Sequence, residues 1–456
     1  MASAAEQMAA NLSWGQLGKA TELRQRIWFT IGLLIMYRVG TYIPVPGIDG
    51  AALRNFMEQA STGIGGMLSM FTGGALGRMG VFALGIMPYI SASIIVQLLT
   101  SMVPSLEQLK KEGEQGRKKI NQYTRYGTVV LALFQAYGLA RSLEAGGLAH
   151  DPGLFFQASV VITLVGGTMF LMWLGEQITA RGVGNGISLI IFVGILAEIP
   201  AALATFFQQG RTGAISTPVI LFVIFGLIAV IAFVVFMERA LRKIRIQYPR
   251  RQVGMKVYDG QTSHLPVKVN PAGVIPAIFA SSLLLLPITI STFSGNETGP
   301  IMSLVLAYFG PGQPLYLLFF AAMIVFFTYF YTQNVSFKTE DVAENLKNQG
   351  GFIPGIRPGK RTQDYLDYVV NRVLVIGSGY LALVCLLPEV LRDQFSIPVY
   401  LGGTSVLIVV SVTMDTINQV QSHLLAHQYE GLIEKSQLRG KRKPGTPKPR
   451  RLPSRR

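Results

Sequence analysis

The sequence predicts an all-α integral membrane protein with ten transmembrane helices, arranged as two inverted five-helix halves around a central pore. Three observations lead to this fold class: ten apolar stretches, basic charge in alternate gaps, and an odd number of spans in each half. A spanning helix needs about 20 mostly apolar residues, because the hydrocarbon of a bilayer is about 30 Å thick. The predicted spans are 27–43, 80–103, 123–140, 154–174, 186–207, 217–237, 273–293, 314–331, 369–388 and 399–417.

Positive charge orients these spans. Most of the 40 lysines and arginines lie in the two tails and in the gaps that follow the second, sixth and eighth spans. Cytoplasmic loops carry such an excess, so both tails, 1–26 and 418–456, are predicted to be cytoplasmic. The net charge of +16 then belongs to this face and argues against nucleic-acid binding as the main role. Anionic lipid headgroups, or an acidic or RNA-bearing partner, are what such a face would attract.

The two halves are predicted to have opposite orientations. The N-terminal half covers 27–207 and the C-terminal half covers 217–417, with 208–216 as the hinge between them. Because each half has an odd number of spans, the second half enters the membrane from the side opposite to the first. If the two halves are structurally related, they form an inverted repeat with a pathway at their interface. The sequence shows no clear internal repeat, and this prediction depends on the number of spans.

Residues 61–80 do not fit the pattern of a span. The segment contains seven glycines, and each glycine inside a helix costs about 1 kcal/mol relative to alanine. Its methionines and leucines are nevertheless too apolar for a long solvated loop. Two interpretations stay open from composition: a re-entrant half-helix inside the protein, where irregular backbone is tolerated at membrane depth, or an interfacial helix on the extracytoplasmic side.

Two cytoplasmic loops, 239–270 and 336–368, are predicted to be folded. The first is rich in β-branched residues, and Asp259 with Gly260 predicts the turn of a β-hairpin. From about residue 440 the chain is basic, rich in proline and predicted to be disordered.

The second loop contains a short helix and a stiff turn. Thr339 is predicted to cap this helix, and Gly350 to end it. In the sequence PGIRPG that follows, two Pro-Gly pairs frame Arg357. A merely solubilising arginine needs no such frame, so we expect Arg357 to be an exposed contact residue.

Catalytic and metal-binding patterns are missing from the sequence. It contains no GxxxxGKS or GxxxxGKT phosphate loop and no HExxH motif. His423 and His427 could share a helix face but have no evident third ligand nearby, and the single cysteine, Cys385, excludes an internal disulfide. The predicted midplane of the spans is aliphatic, whereas ion-coupled transporters place charged groups there. We therefore expect no enzyme activity, no cofactor and no metal.

Seven strings together carry a family resemblance. They are RVGTYIPVPGID (38–49), FTGGALGRMGVFALGIMPYISASIIVQLLT (71–100), KKEGEQGRKKINQYTRYGT (110–128), GTMFLMWLGEQITARGVGNGIS (167–188), HLPVKVNPAGVIPAIFASS (264–282), FIPGIRPGKRT (352–362) and YLGGTSVLIVV (400–410). Over residues 17–435 the chain resembles the bacterial SecY family, the channel-forming subunits of the general protein translocase. The long basic tail departs from the family's usual short end.

The resemblance implies a mid-membrane ring of isoleucines, which would exclude water and so block ions. The matching positions are Ile86, Ile90, Ile187, Ile191, Ile278 and Ile408.

The resemblance also implies a plug and a lateral gate. It favours the re-entrant interpretation of 61–80 and makes that segment a plug helix, with Met67, Leu68, Phe71, Gly73, Gly74 and Leu76 among its residues. The second and third spans would face the seventh and eighth across a lateral gate, where signal sequences bind. Gln97, Thr128 and Asn185 match the polar cluster linked to that gate.

The implied function is a protein-conducting channel that passes secretory polypeptides across the bacterial cytoplasmic (inner) membrane and releases membrane segments into its lipid. Arg250, Arg251 and Arg357 match the docking surface for the SecA motor ATPase and for ribosomes. SecE-like and SecG-like membrane subunits are the other implied partners, beside signal-bearing precursors and membrane lipids. A secondary transporter of a small solute is the alternative, and the aliphatic midplane, the glycine-rich segment and the basic loops count against it.

Overall fold

The computed structural model describes residues 21–50, 53, 69, 72–213, 216–249, 251–253, 256–258, 262–293, 313–395 and 402–440. Its helices are α1 (Thr21–Gly40), α2 (Met87–Met102), α3 (Pro104–Lys111), α4 (Glu114–Ala145), α5 (Leu154–Arg181), α6 (Gly186–Arg211), α7 (Thr217–Arg239), α8 (Ile275–Phe293), α9 (Pro314–Tyr331), α10 (Thr339–Asn348), α11 (Lys360–Phe395) and α12 (Gly403–Gly440). Four strands follow α7: β1 (Leu241–Gln247), β2 (Arg251–Val253), β3 (Lys256–Tyr258) and β4 (Thr262–Lys268).

Each of the ten predicted spans contains one long helix, namely α1, α2, α4, α5, α6, α7, α8, α9, α11 and α12. By length and composition alone, five helices of the described part qualify as membrane spans, and a sixth if the bent pair α2 and α3 is one span. The other helices have more polar residues or are shorter in the described part.

The second span begins later than the sequence predicts. Residues 80–86 form turns, and the helix starts at Met87. Gly85 has a φ of 57°, a left-handed backbone that interrupts a helix. Gly80 lies against the backbone of the first span, since a Cβ placed on it would be 2.7 Å from the carbonyl oxygen of Thr41. The residues before Met87 therefore pack as irregular backbone, and the helix begins only after them.

The two halves meet along two lines of helix contact. On one side α8 packs against α2 and α4, and we call this contact the seam. On the other side α12 packs against α6 and α1, and the N–H of Gly184 donates to Oε1 of Gln419 at 2.9 Å. The largest apolar cluster of the described residues contains residues of both halves.

The first cytoplasmic loop is a β-hairpin, as predicted. Strand β1 pairs antiparallel with β4, and β2 with β3. The innermost pair of β2 and β3 is Val253 with Lys256. Asp259 and Gly260, predicted to be a turn, lie outside the described residues.

The short helix α10 ends as predicted and begins differently. The N–H of Gly351 donates to the carbonyl of Leu346 at 2.8 Å, and Gly350 has a φ of 73°, which together form a Schellman ending. Thr339 is the first helical residue and not the cap. Its Oγ1 donates to Oδ1 of Asp367 at 2.5 Å, so the hydroxyl joins α10 to α11.

Helices α11 and α12 pack so closely at Gly403 that one added methyl group is predicted to destabilise the protein. A Cβ on Gly403 would lie 1.9 Å from the carbonyl oxygen of Val384. We expect Gly403→Ala to lower the thermal unfolding temperature of the purified protein, because forced overpacking costs about 1–3 kcal/mol. Gly379→Ala is the matched control, since nothing lies within 4 Å of its Cβ. Equal unfolding temperatures for the two variants would contradict this packing.

Candidate pore, plug and docking surface

The six isoleucines predicted to form the ring come together in the largest apolar cluster. Five are buried, with Ile408 completely inaccessible, and Ile187 is half-buried and packs against the cluster. Ile86 immediately precedes α2, and the others lie in α2, α6, α8 and α12, which belong to both halves. Branched apolar side chains at such a junction offer no hydrogen bond to water or ions, and a narrow site of this kind stays dry. Their role as a ring stays a prediction.

The glycine-rich segment is described only at its C-terminal end. Of its predicted plug residues, Met67, Leu68 and Phe71 lie outside the described residues. Ser69 has helical backbone, while 72–79 and 81–86 form turns and Gly80 bridges to Pro44, so the predicted re-entrant helix does not extend past residue 71. Leu76 is half-buried.

Gly73 and Gly74 lie between α1 and α6 in left-handed backbone, with φ values of 64° and 78°. A Cβ on Gly73 would be 2.9 Å from Cα of Gly194, and one on Gly74 would be 2.3 Å from Oε1 of Glu198. Only glycine satisfies both the backbone angle and the close approach at these positions.

A polar group that the sequence reasoning missed holds this end of the segment. Arg38 of α1 donates to the carbonyl of Gly73 at 2.8 Å. The guanidinium of Arg78 lies 4.3 Å from the centre of the Tyr42 ring and 3.8 Å from the carboxylate of Glu198 on α6. Opposite charges in the first and fifth spans, beside a glycine-rich segment, were the available signal.

The three predicted gate residues make hydrogen bonds within their own helices. Gln97 donates from Nε2 to Oγ of Ser93 at 3.1 Å, and its Oε1 is buried without a partner among the described residues. Thr128 is fully buried and donates to the carbonyl of Thr124 at 2.8 Å. Asn185 is exposed and caps α6, where its Oδ1 accepts from the N–H of Ile187 at 3.1 Å. Gln97 and Thr128 lie on α2 and α4, the two N-terminal helices of the seam.

The cytoplasmic loops form one surface. Gln247 at the end of β1 and Phe352 exchange both backbone hydrogen bonds, each 2.9 Å long. One apolar cluster joins residues of the hairpin, α10, the Arg357 turn and α11, with Ile244 and Ile353 among its buried members. The hairpin and the Arg357 turn are therefore held in a common position.

Arg357 is exposed, as predicted, and its backbone is fixed from both sides. The flanking Gly355 and Gly359 have φ values of 82° and 107°, and Oγ1 of Thr362 donates to the Arg357 carbonyl at 3.0 Å. Arg250 lies outside the described residues, and of Arg251 only the backbone in β2 is described. No group of three or more His, Cys, Asp or Glu side chains arranged for a metal ion occurs in the described part of the chain.

Two helical halves that share one buried apolar cluster, with folded cytoplasmic loops joined to them, are typical of a membrane-embedded channel. The chain belongs to the SecY family, whose family model matches residues 80–417, and is a multi-pass membrane protein. It is 52% identical over 428 residues to the protein translocase subunit SecY of Escherichia coli, with 93% of this chain and 96% of the relative covered.

Two solved structures share the fold. The structure of a protein-conducting channel matches with a TM-score of 0.65 and 19% identity, over 87% of this chain and 92% of the other. The channel of the canine ribosome–channel complex from the endoplasmic reticulum matches with a TM-score of 0.60 and 18% identity, over 87% and 92%. Together with the family match, this agrees with the ten-helix fold predicted from the sequence.

Proposed function

We propose that this chain is the channel-forming subunit of a bacterial protein translocase. It passes secretory polypeptides across the cytoplasmic (inner) membrane and releases apolar segments into the lipid, with both termini in the cytoplasm. The observation that carries this proposal is the convergence of Ile86, Ile90, Ile187, Ile191, Ile278 and Ile408 in one cluster supplied by both halves. An aliphatic constriction yields around an unfolded chain without hydrogen-bonding to it, and closes against ions when the chain has left.

Two moving parts would regulate this constriction. The glycine-rich segment acts as the plug, held at its C-terminal end by the hydrogen bond from Arg38 to the Gly73 carbonyl. The seam between α2 and α4 on one side and α8 on the other is the lateral gate, with Gln97, Thr128 and Asn185 as its polar residues. A hydrogen bond between membrane helices contributes about 0.6–2 kcal/mol, a cost that an apolar signal helix can offset by its own burial.

Energy for transport comes from a partner, since the sequence has no phosphate loop of its own. We place SecA or a translating ribosome on the surface formed by the hairpin and the Arg357 turn, with Arg250, Arg251 and Arg357 as contacts. SecE-like and SecG-like subunits complete the membrane complex, and the former clamps the two halves. The family match supports a channel rather than a catalyst, and it gives the small-solute transporter no support.

The test is transport in sealed vesicles that contain this chain, a SecE-like subunit and the SecA motor. We expect a signal-bearing precursor to become protected from added protease when ATP is present. Vesicles prepared without this chain are the control and should give no protection. Failure of protection, together with gradient-driven uptake of small solutes by the same vesicles, would contradict the proposal.

A further inference from the structure

The helix α3 crosses from one half of the protein toward the other. Its axis makes an angle of 98° with that of α2. Val103, between the two helices, has extended backbone, with φ −102° and ψ 114°, and Pro104 follows it. Proline disfavours helical backbone in the preceding residue, so the sequence itself sets this bend. As a result, α3 leaves the N-terminal half and brings its last turn to the cytoplasmic end of α9.

One hydrogen bond joins the halves at this place. Nζ of Lys110, in the last turn of α3, donates to the backbone carbonyl of Asn334 at 3.2 Å. Asn334 belongs to Thr332–Ser336, a π-helical turn that continues α9. Carbonyl groups at the end of a helix carry partial negative charge and lack partners within the helix, so a cation binds them favourably.

The acceptor is held in place by its own half. Nδ2 of Asn334 donates to the carbonyl of Phe330 at 2.9 Å, and Oγ of Ser336 donates to the carbonyl of Pro271 at 2.6 Å. The N–H of Phe337 closes the turn on the carbonyl of Thr332 at 2.9 Å. Because the π-helical turn is fixed in this way, movement of α3 away from it must break the Lys110 bond.

Charges of both signs surround Lys110. Burial lowers the pKa of Lys110, and the nearby positive charges of Lys338 and Arg117 lower it further, with Glu107 and Asp341 acting in the opposite sense. The adjacent Lys111 is exposed and pairs with Glu107 of its own helix at 3.0 Å. Lys110 is thus a half-buried cation whose partner belongs to the other half.

We propose that Lys110 is a specificity-determining residue that latches α3 to the end of α9 and so sets how apolar a signal segment must be to open the seam. This inference rests on the proposed function. A segment that inserts between α2, α4 and α8 must separate the halves, and strongly apolar segments gain enough by burial to break the latch. Weakly apolar segments gain less and are rejected while the Lys110 bond holds.

The test compares three variants in transport vesicles with two precursors, one intact and one with a charged residue inside its signal. Lys110→Met removes the charge at similar length, and Lys111→Met is the matched control. We expect Lys110→Met to transport the defective precursor roughly tenfold faster than the unmodified chain, as expected from loss of a charge-assisted hydrogen bond. Lys111→Met should leave the rate unchanged, and Lys110→Arg should also leave it unchanged because a guanidinium can still donate.

Two results distinguish the latch from the channel. Equal rates for Lys110→Met and Lys111→Met on the defective precursor, with normal transport of the intact one, would overturn the latch and leave the channel in place. No transport of the intact precursor by the unmodified chain would overturn the channel itself.

The contact between the halves can also be tested without transport. The single native cysteine, Cys385, is buried, so Asn334→Cys supplies an accessible thiol beside Lys110. A short reagent that joins an amine to a thiol should link the two positions in the resting protein. The link should disappear when Lys110→Met is added and persist when Lys111→Met is added. Persistence of the link without Lys110 would overturn the proposed contact.

Discussion

Replacing Arg357 by glutamate is expected to abolish motor-driven transport while the protein still folds. The side chain is exposed, and no hydrogen bond or ion pair of its guanidinium occurs within the described residues. The shape of the turn depends on its backbone. Gly355 and Gly359 have left-handed conformations, and Thr362 donates a hydrogen bond to the Arg357 carbonyl. Charge reversal therefore leaves the fold intact and replaces an attractive contact with a repulsive one.

The measurement is ATP-dependent protection of a precursor in vesicles, with the thermal unfolding temperature as the test of folding. Exposed surface substitutions usually change stability by less than about 0.5 kcal/mol, so unfolding should be unaffected. Arg361→Glu makes the same change of charge at an exposed position in the first turn of α11 and should retain most transport. Normal transport by Arg357→Glu would remove this residue from the docking surface.

Serine or glycine in place of the ring isoleucines is expected to make the resting channel leak ions. Ile191, Ile278 and Ile408 are buried at the junction of the halves and come from three different helices. Each replacement removes about 2–3 kcal/mol of apolar burial, and serine adds a hydroxyl that binds water. A constriction that water can wet also conducts ions.

Conductance of planar bilayers, measured without precursor, tests this expectation. The unmodified channel should show little current, and Ile408→Ser should show a steady one that grows when a second ring position is changed. Ile228→Ser is the control, because this isoleucine is exposed on the outer side of α7. Unchanged conductance in the ring variants, or an equal increase in the control, would contradict the ring as the seal.

Much of this protein follows from its sequence because the membrane constrains it so strongly. Each span must satisfy its backbone hydrogen bonds internally, so ten apolar stretches became ten helices, and the positive charge between them predicted one side for both tails. The folded cytoplasmic loops were predictable for a similarly local reason. Gly350 ends α10, and the glycines beside Arg357 permit its turn.

Only the tertiary structure decided which residues meet. Isoleucines of four helices, separated along the chain by up to some 320 positions, share one cluster, and no local pattern distinguishes them from isoleucines that face lipid. The same holds for Arg38 at Gly73 and for Lys110 at Asn334. Contacts of this kind depend on how helices pack, whereas apolar length and turn chemistry depend only on neighbouring residues.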